Sequence, residues 1–266
     1  MATTDRPLET GWLADTPVED NLLRGFVHNQ GRLNELLAVA KHGRHAQTDD
    51  VFLADADSAV PYFNQAILTR PLAGAEDAVL SEVEGFFGPG SRPHTLLSIW
   101  PTPDLTDRGW HLAGHPAVVV RGPGAVPRGV APGVEVRLAG DAAGLATAER
   151  LFIEGYPVPQ AEGAPAGSEL PPTLVGTPLV VRHGLYEAVP VAVGMVHISD
   201  GLVNLCGGAT LPAARRRGVW EALVWARIAD APELPAMAYT SDFSRPGFIR
   251  MGFLPITRFT LWYRSP

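Results

Sequence analysis

Gly208-Ala-Thr-Leu-Pro-Ala-Ala-Arg-Arg-Arg-Gly-Val-Trp-Glu-Ala-Leu223 is the stretch on which the reading of this chain turns. Its first residues end an apolar strand, Leu202 to Leu211, and its last open an amphipathic helix marked by Trp220, Leu223, Val224 and Ile228. Between them lies a tight turn carrying Arg215, Arg216 and Arg217 and closed by Gly218. Backbone N–H groups at a helix start lack intrahelical acceptors and carry the positive end of the helix dipole. A glycine there lets the backbone approach a phosphate closely, and the arginines add charge where an anion would lie. The turn therefore reads as a pyrophosphate cradle, against the plainer alternative of a solvated basic turn without a ligand. Other phosphate patterns fail: there is no G-x-x-x-x-G-K-[ST], and Gly122-x-Gly124 leads into proline-rich sequence, not a helix.

Outward from this stretch, Val134 to Leu138 predicts a strand, and Leu145, Ala148, Leu151 and Phe152 mark the buried face of a helix after it. Gly155 to Thr173 is too rich in proline and glycine for regular structure, and a loop this long is usually functional or mobile. Strands are predicted at Leu179 to Arg182, Val189 to Ile198 and Leu202 to Leu211. The middle one is apolar on both faces, which places it deep in a sheet. A strand at Ala236 to Thr240, a short helix up to Met251 and a strand from Phe253 to Tyr263 complete this part.

Upstream, the aperiodic segment Gly122 to Gly133 reads as a linker. The expected organisation is an α+β domain over 1–122, a Pro/Gly linker over 123–133 and a second domain over 134–266. In the first domain, Thr16-Pro17-Val18-Glu19 has the form of a capping box with proline at the first helical position. An apolar stripe from Leu22 to Ala40 follows, with Gly43 as its stop. Val51 to Ala54, Tyr62 to Leu68, Thr95 to Trp100 and Ala117 to Val120 read as strands, and Val79 to Phe87 as a helix ended by Gly88.

The bulk numbers fit this picture. A chain of 266 residues with 46% hydrophobic and 18% charged content has the composition of a globular protein with room for two cores. A formal charge of −7 works against binding a nucleic-acid backbone. No apolar run reaches spanning length, so no membrane role is expected, and the start MATTDRPLETGW lacks signal-peptide character. The one cysteine, Cys206, cannot form an internal disulfide, which suits a cytoplasmic protein.

The arginine–glycine turn resembles the acyl-CoA signature of the GNAT N-acetyltransferase superfamily, (Gln/Arg)-x-x-Gly-x-(Gly/Ala), as Arg215-x-x-Gly218-x-Trp220. Ser241-Asp-Phe-Ser-Arg-Pro-Gly-Phe-Ile-Arg-Met-Gly-Phe253 is similar to the family's second segment, Ser…Pro-x-Tyr-x-x-x-Gly-Phe. The resemblance covers about Val134 to Pro266. It implies a mixed, mostly antiparallel central sheet flanked by helices, an α+β (α/β) GNAT fold. It also implies acetyl-CoA as co-substrate, lying between two parallel strands with its pantetheine on Ala209, Thr210 and Leu211. The cradle would comprise Arg215, Arg216, Arg217, Gly218, Val219 and Trp220, with Ser241 and Phe248 beside it. The implied reaction is direct attack of an amine on the thioester, the departing thiolate being protonated by the tyrosine of the second segment. The alternative is a catalytically inactive acyl-CoA-binding or regulatory protein. Neither the acceptor amine nor the oligomeric state is specified by these motifs.

Two positions depart from the family pattern. The tyrosine position is Phe248, which has no proton to give, and the small residue closing the cradle is Trp220. The indole either crowds the pyrophosphate or turns into the core, and the apolar helix face favours the core. Tyr239 and Ser241 are the candidate catalytic hydroxyls, although a strand tyrosine is also an ordinary packing residue. Cys206 reads as a small buried hydrophobe before a nucleophile. Glu154 and His197 are candidate bases, His197 reading more simply as a satisfied core histidine. His42 and His45 lack a third ligand and the zinc patterns are absent, so no metal site is expected.

The first half echoes the second. Gly109-Trp110 followed by Ala117 to Arg121 parallels Gly252-Phe253 followed by Phe259 to Arg264. The run from Tyr62 into the helix after Ala75 parallels the strand-to-helix unit around the cradle, without its arginines. This predicts a degenerate GNAT-like domain that has lost its cradle, hence two tandem GNAT-like domains; an unrelated α+β domain is the alternative.

Overall fold

The computed structural model describes residues 21–265 apart from Ala73, Arg128 and Pro157. The capping box at Thr16 to Glu19 lies outside the described residues. Helix α1 (Leu22–Ala40) is capped by Asn21, whose side chain accepts from the N–H groups of Leu23 and Arg24, both at 3.0 Å. The turn after α1 is made by His42, at φ 57°, just before Gly43. A Cβ on Gly43 would come within 2.0 Å of the Asp55 carbonyl, so that glycine serves close packing.

Strands β1 (Arg44–Gln47), β2 (Val51–Asp55) and β3 (Asn64–Leu68) follow, then α2 (Glu76–Phe87), β4 (His94–Ser98), β5 (His111–Gly114) and β6 (Ala117–Arg121). The second half contains β7 (Val134–Leu138), α3 (Ala142–Gly155), β8 (Leu179–Tyr186), β9 (Val189–Ser199), β10 (Leu202–Thr210), α4 (Val219–Ile228) and β11 (Ala236–Thr240). It ends with α5 (Arg245–Arg250), β12 (Leu254–Arg258) and β13 (Thr260–Arg264). Two short, polar edge strands, β1 and β5, escape the sequence reading. Their exposed side chains carry no inward apolar signal.

The chain builds two mixed sheets, ordered β1-β2-β3-β4-β13-β5 and β12-β6-β11-β10-β9-β8-β7. Each half therefore gives its last strand to the other. Strand β6 lies between β11 and β12, and β13 lies between β4 and β5. This corrects the single strand expected over Phe253 to Tyr263, which is two strands in different sheets. It also means that a cut at residue 122 divides the sequence but not the sheets. The two crossings touch, the Phe259 N–H donating to the Pro116 carbonyl at 3.0 Å. Trp262 of β13 is buried in the first core among Val51, Leu53, Leu96 and Trp110. Burying one such side chain contributes roughly 1.5–3 kcal/mol. The apolar run Val118 to Val120 of β6 does the same for the second sheet.

Helix α1 lies between the sheets, and its buried polar residues are matched across them. Asn204 donates to Asn29 at 2.9 Å and to Gln30 at 3.0 Å, while Asn34 donates to Gln65 at 2.8 Å. The Pro/Gly loop is packed rather than mobile, with Val158, Ala161, Leu170 and Leu174 in the core. The buried Glu149 carboxylate accepts from the Gly167, Glu169 and Leu170 N–H groups. Glu169 in turn pairs with Lys41 at 2.7 Å and accepts from the Ala59 N–H and the Ser58 hydroxyl of the first half. Among the described residues no helix is long and apolar enough to cross a membrane.

Candidate functional site

Strands β10 and β11 are parallel, but they pair only at Val203↔Ala236 and Asn204↔Met237. Beyond Asn204 they part, and the edge of β10 facing β11 is left unpaired. A bulge makes the parting possible. The β9–β10 register shifts between Cys206 and Ala209, where Gly207 sits at φ 52°. A Cβ on Gly207 would lie 2.7 Å from the Met195 sulfur, so both backbone and space require glycine.

Arg227 braces the bulge from α4. It is 1% exposed, and its guanidinium donates to the carbonyls of Leu223 (3.0 Å), Met195 (2.9 Å) and Cys206 (3.1 Å). Burial lowers its pKa to about 10, which leaves it charged at neutral pH. A buried cation is costly unless its donors are matched, and here carbonyls at the bulge match them. The sequence reading missed Arg227, because an arginine near a helix end ordinarily reads as solvated; its place on the apolar face with Leu223 and Val224 was the available signal.

The β10 edge leads into the arginine–glycine turn. Arg216 stands at φ 64° and Gly218 at φ 80°, where it precedes α4 without a side-chain cap. Among the described residues, the N–H groups of Arg216 to Glu221 have no backbone acceptor; Ala222, donating to the Gly218 carbonyl at 3.0 Å, is the first that does. A Cβ at 218 would approach that of Ala131 in the linker to 2.9 Å. Arg215 ties the turn together, donating to the carbonyls of Thr210 (3.2 Å) and Gly155 (3.3 Å). Arg217 lies over the Tyr186 ring at 4.5 Å, and Arg216 is exposed. The Thr210 hydroxyl oxygen is buried with no hydrogen-bond partner. Free N–H groups, exposed cations and an orphaned hydroxyl on one track fit a ligand with a polar arm and an anionic head.

Trp220 turns away from the cradle and into the core. Its ring meets Phe248 edge-on at 4.9 Å and fits against Gly247, where a Cβ would come within 2.7 Å. The indole also lies close to the exposed Gly208, its Nε1 3.9 Å from where a Cβ would stand. Phe248 is 5% exposed, held between Trp220 and Phe253.

The candidate chemical groups separate clearly. Tyr239, on β11 two residues past the last paired position, packs edge-on to Phe259 at 5.8 Å. Burial, with Tyr62 and Cys206 nearby, raises its pKa above the ordinary tyrosine value. Ser241 is exposed and engaged in the turn into α5, its hydroxyl 3.2 Å from that of Ser244. Burial pushes the Cys206 thiol up to about 12, which removes thiolate reactivity at neutral pH. Glu154 is exposed and paired with Arg150 at 2.8 Å. His197 is 3% exposed, 3.1 Å from the Asn29 side-chain oxygen, and burial lowers its pKa; it is a satisfied core histidine. His45 pairs with Glu35 at 3.4 Å, and no metal-binding cluster exists among the described residues. Tyr62 and Tyr156 also reach this region, their rings 6.0 Å apart edge-to-face. Neither was singled out from the sequence, since only the tertiary arrangement brings them beside Tyr239.

Two mixed sheets that exchange their last strands, one of them splayed above a basic helix start, give this chain the fold of the GNAT acetyltransferases. The solved structures agree. A GCN5-related N-acetyltransferase from Kribbella flavida superposes with a TM-score of 0.62 at 17% identity, covering 89% of this chain and 96% of the other. A protein from Novosphingobium aromaticivorans named for the GNAT family gives 0.57 at 17% identity, covering 90% and 96%. A conserved protein of unknown function from Staphylococcus epidermidis gives 0.58 at 9% identity, covering 83% and 92%. No family model and no curated protein matches the sequence.

Proposed function

We propose that this chain is an acyl-CoA-dependent N-acyltransferase of the GNAT type, moving an acetyl group from acetyl-CoA to an amine. The observation that carries the reading is the continuous track from the unpaired β10 edge to the free N–H groups behind Gly218. Ala209 and Thr210 offer strand-edge groups to the pantetheine arm, and Leu211 borders it with its N–H donated to the Val191 carbonyl and its carbonyl accepting from Ala214. Arg215, Arg216 and Arg217, with the N–H groups of Gly218, Val219 and Trp220, take the pyrophosphate. Ser241 and Phe248 wall the α5 side. The bound thioester supplies the activated carbonyl, and the amine nitrogen loses one proton while the departing sulfur gains one. Phe248 gives no proton, and of the two candidate hydroxyls Tyr239 lies by the parting strands whereas Ser241 serves a turn. The loop from Gly155 to Thr173 borders the acceptor side.

Calorimetric titration with acetyl-CoA tests this. The parent protein is expected to bind with a dissociation constant of roughly 1 μM to 1 mM, the usual span for enzyme substrates. Gly218→Asp sets a carboxylate against the pyrophosphate and should weaken binding about 100-fold, or ~2.7 kcal/mol. A parent protein that does not saturate contradicts the proposal. A second reading, acyl-CoA binding without turnover, is favoured by one observation: Trp220 and Phe248 together fill the gap between α4 and α5. Saturable binding with no thiol release in the presence of any amine would decide for it.

A further inference from the structure

A cavity of about 470 Å³ is shared by the two halves, a volume usual for a small-molecule site. The first half contributes Lys41, Asp57 and Arg92, and the loop after α3 contributes Gln160, Glu162 and Glu169. None of its lining residues belongs to the β10 edge, the arginine–glycine turn or α5. Ala56 on its wall and Ala209 on the track sit in one packed core with Phe63, Val158 and Ala161. Side chains, not open space, therefore connect the cavity to the track.

The inner wall is built around a buried cation. The Lys41 side chain is 8% exposed, and its ammonium donates to the Ser168 carbonyl at 2.6 Å and to Glu169 at 2.7 Å. An ammonium has three donors, and among the described residues the third finds no acceptor. Glu169 is already engaged, accepting from Lys41, the Ser58 hydroxyl and the Ala59 N–H. At the rim, the exposed Arg92 donates through Nε to Asp57 at 3.0 Å. Among the described residues both of its Nη groups are without an acceptor. Asp57 makes that contact from left-handed backbone, φ 46°, a conformation that costs an L side chain free energy. The exposed side chains of Gln160 and Glu162 have no partner among the described residues. Unspent donors on the first half thus share a cavity with an unpaired carboxylate on the second. Two cations stand against three carboxylates, so a bare anion is not favoured here.

We propose that this cavity is a second ligand site, for a small zwitterion of the amino-acid class. The ligand's carboxylate meets Lys41 and Arg92, and its ammonium meets Glu162. The site does not depend on the acyltransferase reading, and its ligand is bound rather than acetylated. Held by residues of both halves, it adds to the Lys41–Glu169 pair in fastening the loop to the first half.

Calorimetric titration of the full chain with L-alanine, L-leucine and L-glutamine, without acetyl-CoA, tests the site. Saturable binding of at least one is expected. Arg92→Gln and Glu162→Gln each remove one charge-assisted contact and should each weaken that binding about 10-fold. Both side chains are exposed, so the melting temperatures should stay at the parent value. Acetate and methylammonium, which carry one charge each, should bind at least about 10-fold more weakly than the amino acid. Saturating acetyl-CoA should leave the amino-acid affinity unchanged, and adding the amino acid should not speed thiol release. Failure of all three amino acids to saturate into the millimolar range would overturn the proposal. So would binding that survives both substitutions, or acetate binding as tight as the amino acid's. Thiol release that depends on the amino acid and is abolished by both substitutions would make the cavity the acceptor site, overturning its separation from the reaction. Because the first titration contains no acetyl-CoA, its failure is distinct from failure of the acyltransferase reading.

Discussion

The two halves use the same strand–helix–strand unit to opposite ends. In the first, β3 and β4 are parallel and pair at three consecutive positions of their five, Gln65↔Thr95 to Ile67↔Leu97. The helix between them opens on Gly74-Ala75 with Glu76 and Asp77 in its first turn, charges that repel an anion. In the second, β10 is nine residues long and bulged, and it pairs with β11 at two positions only. The following helix opens on three arginines and a left-handed glycine. A closed sheet becomes a cleft through one bulge glycine and one basic turn. The half whose parallel strands stay paired packs its first helix against the parted strands of the other.

The sharpest way to break this contrast is at the bulge. Gly207→Val imposes a side chain at φ 52° and 2.7 Å from Met195. It should cost about 3 kcal/mol in chemical denaturation, combining backbone strain with overpacking. A stability loss under ~1 kcal/mol would mean that the bulge is not what holds the strands apart.

Next in size is the link between the halves. Lys41→Met leaves the Glu169 carboxylate, 4% exposed, without its cation. Breaking one partner of a buried pair costs about 3 kcal/mol or somewhat more. The melting temperature should fall accordingly, and Lys41→Met/Glu169→Gln should recover part of the loss.

Phe248→Tyr restores the family's hydroxyl but buries it between Trp220 and Phe253. With Tyr239 already in place, thiol release should not rise, and stability should drop by about 1–2 kcal/mol. A rise in turnover would return the acid role to the second motif.

Acid should weaken both halves through buried histidines, His94 in the first and His197 in the second. Burial lowers the pKa of each in the folded chain. Their stabilising contribution is therefore complete above the unfolded value near 6.5 and is lost as pH falls through the lower folded values. Below pH ~6.5 each histidine contributes a slope of at most about 1.4 kcal/mol per pH unit, which His197→Gln should remove from the second half's share. The smallest effect belongs to Glu154→Gln. Its exposed pair with Arg150 is worth about 0.5 kcal/mol, and turnover should be unchanged.

Much of this was legible in the sequence. Periodicity placed helices α1 to α4 and most strands, and Arg215 to Gly218 marked the cradle because helix starts, glycine freedom and charge are local properties. Trp220 could be assigned to the core from its helix face alone. The echo between Gly109-Trp110 and Gly252-Phe253 was real, yet the strand exchange behind it was hidden. An apolar strand such as Val118 to Val120 reads the same whichever sheet receives it. For the same reason Gln65, Tyr62 and Arg227 went unnoticed: each draws its meaning from a partner more than twenty residues away. Strand β1 was missed because all its side chains are exposed.

Hydrogen–deuterium exchange with and without saturating acetyl-CoA compares the two halves in one experiment. The expected result is new protection of the amides from Leu205 to Leu211 and from Arg216 to Glu221, with Gln65 to Leu68 and Gly74 to Asp77 unchanged. Equal protection of both halves, or protection of the first alone, would contradict the assignment of the ligand to the parted strands of the second.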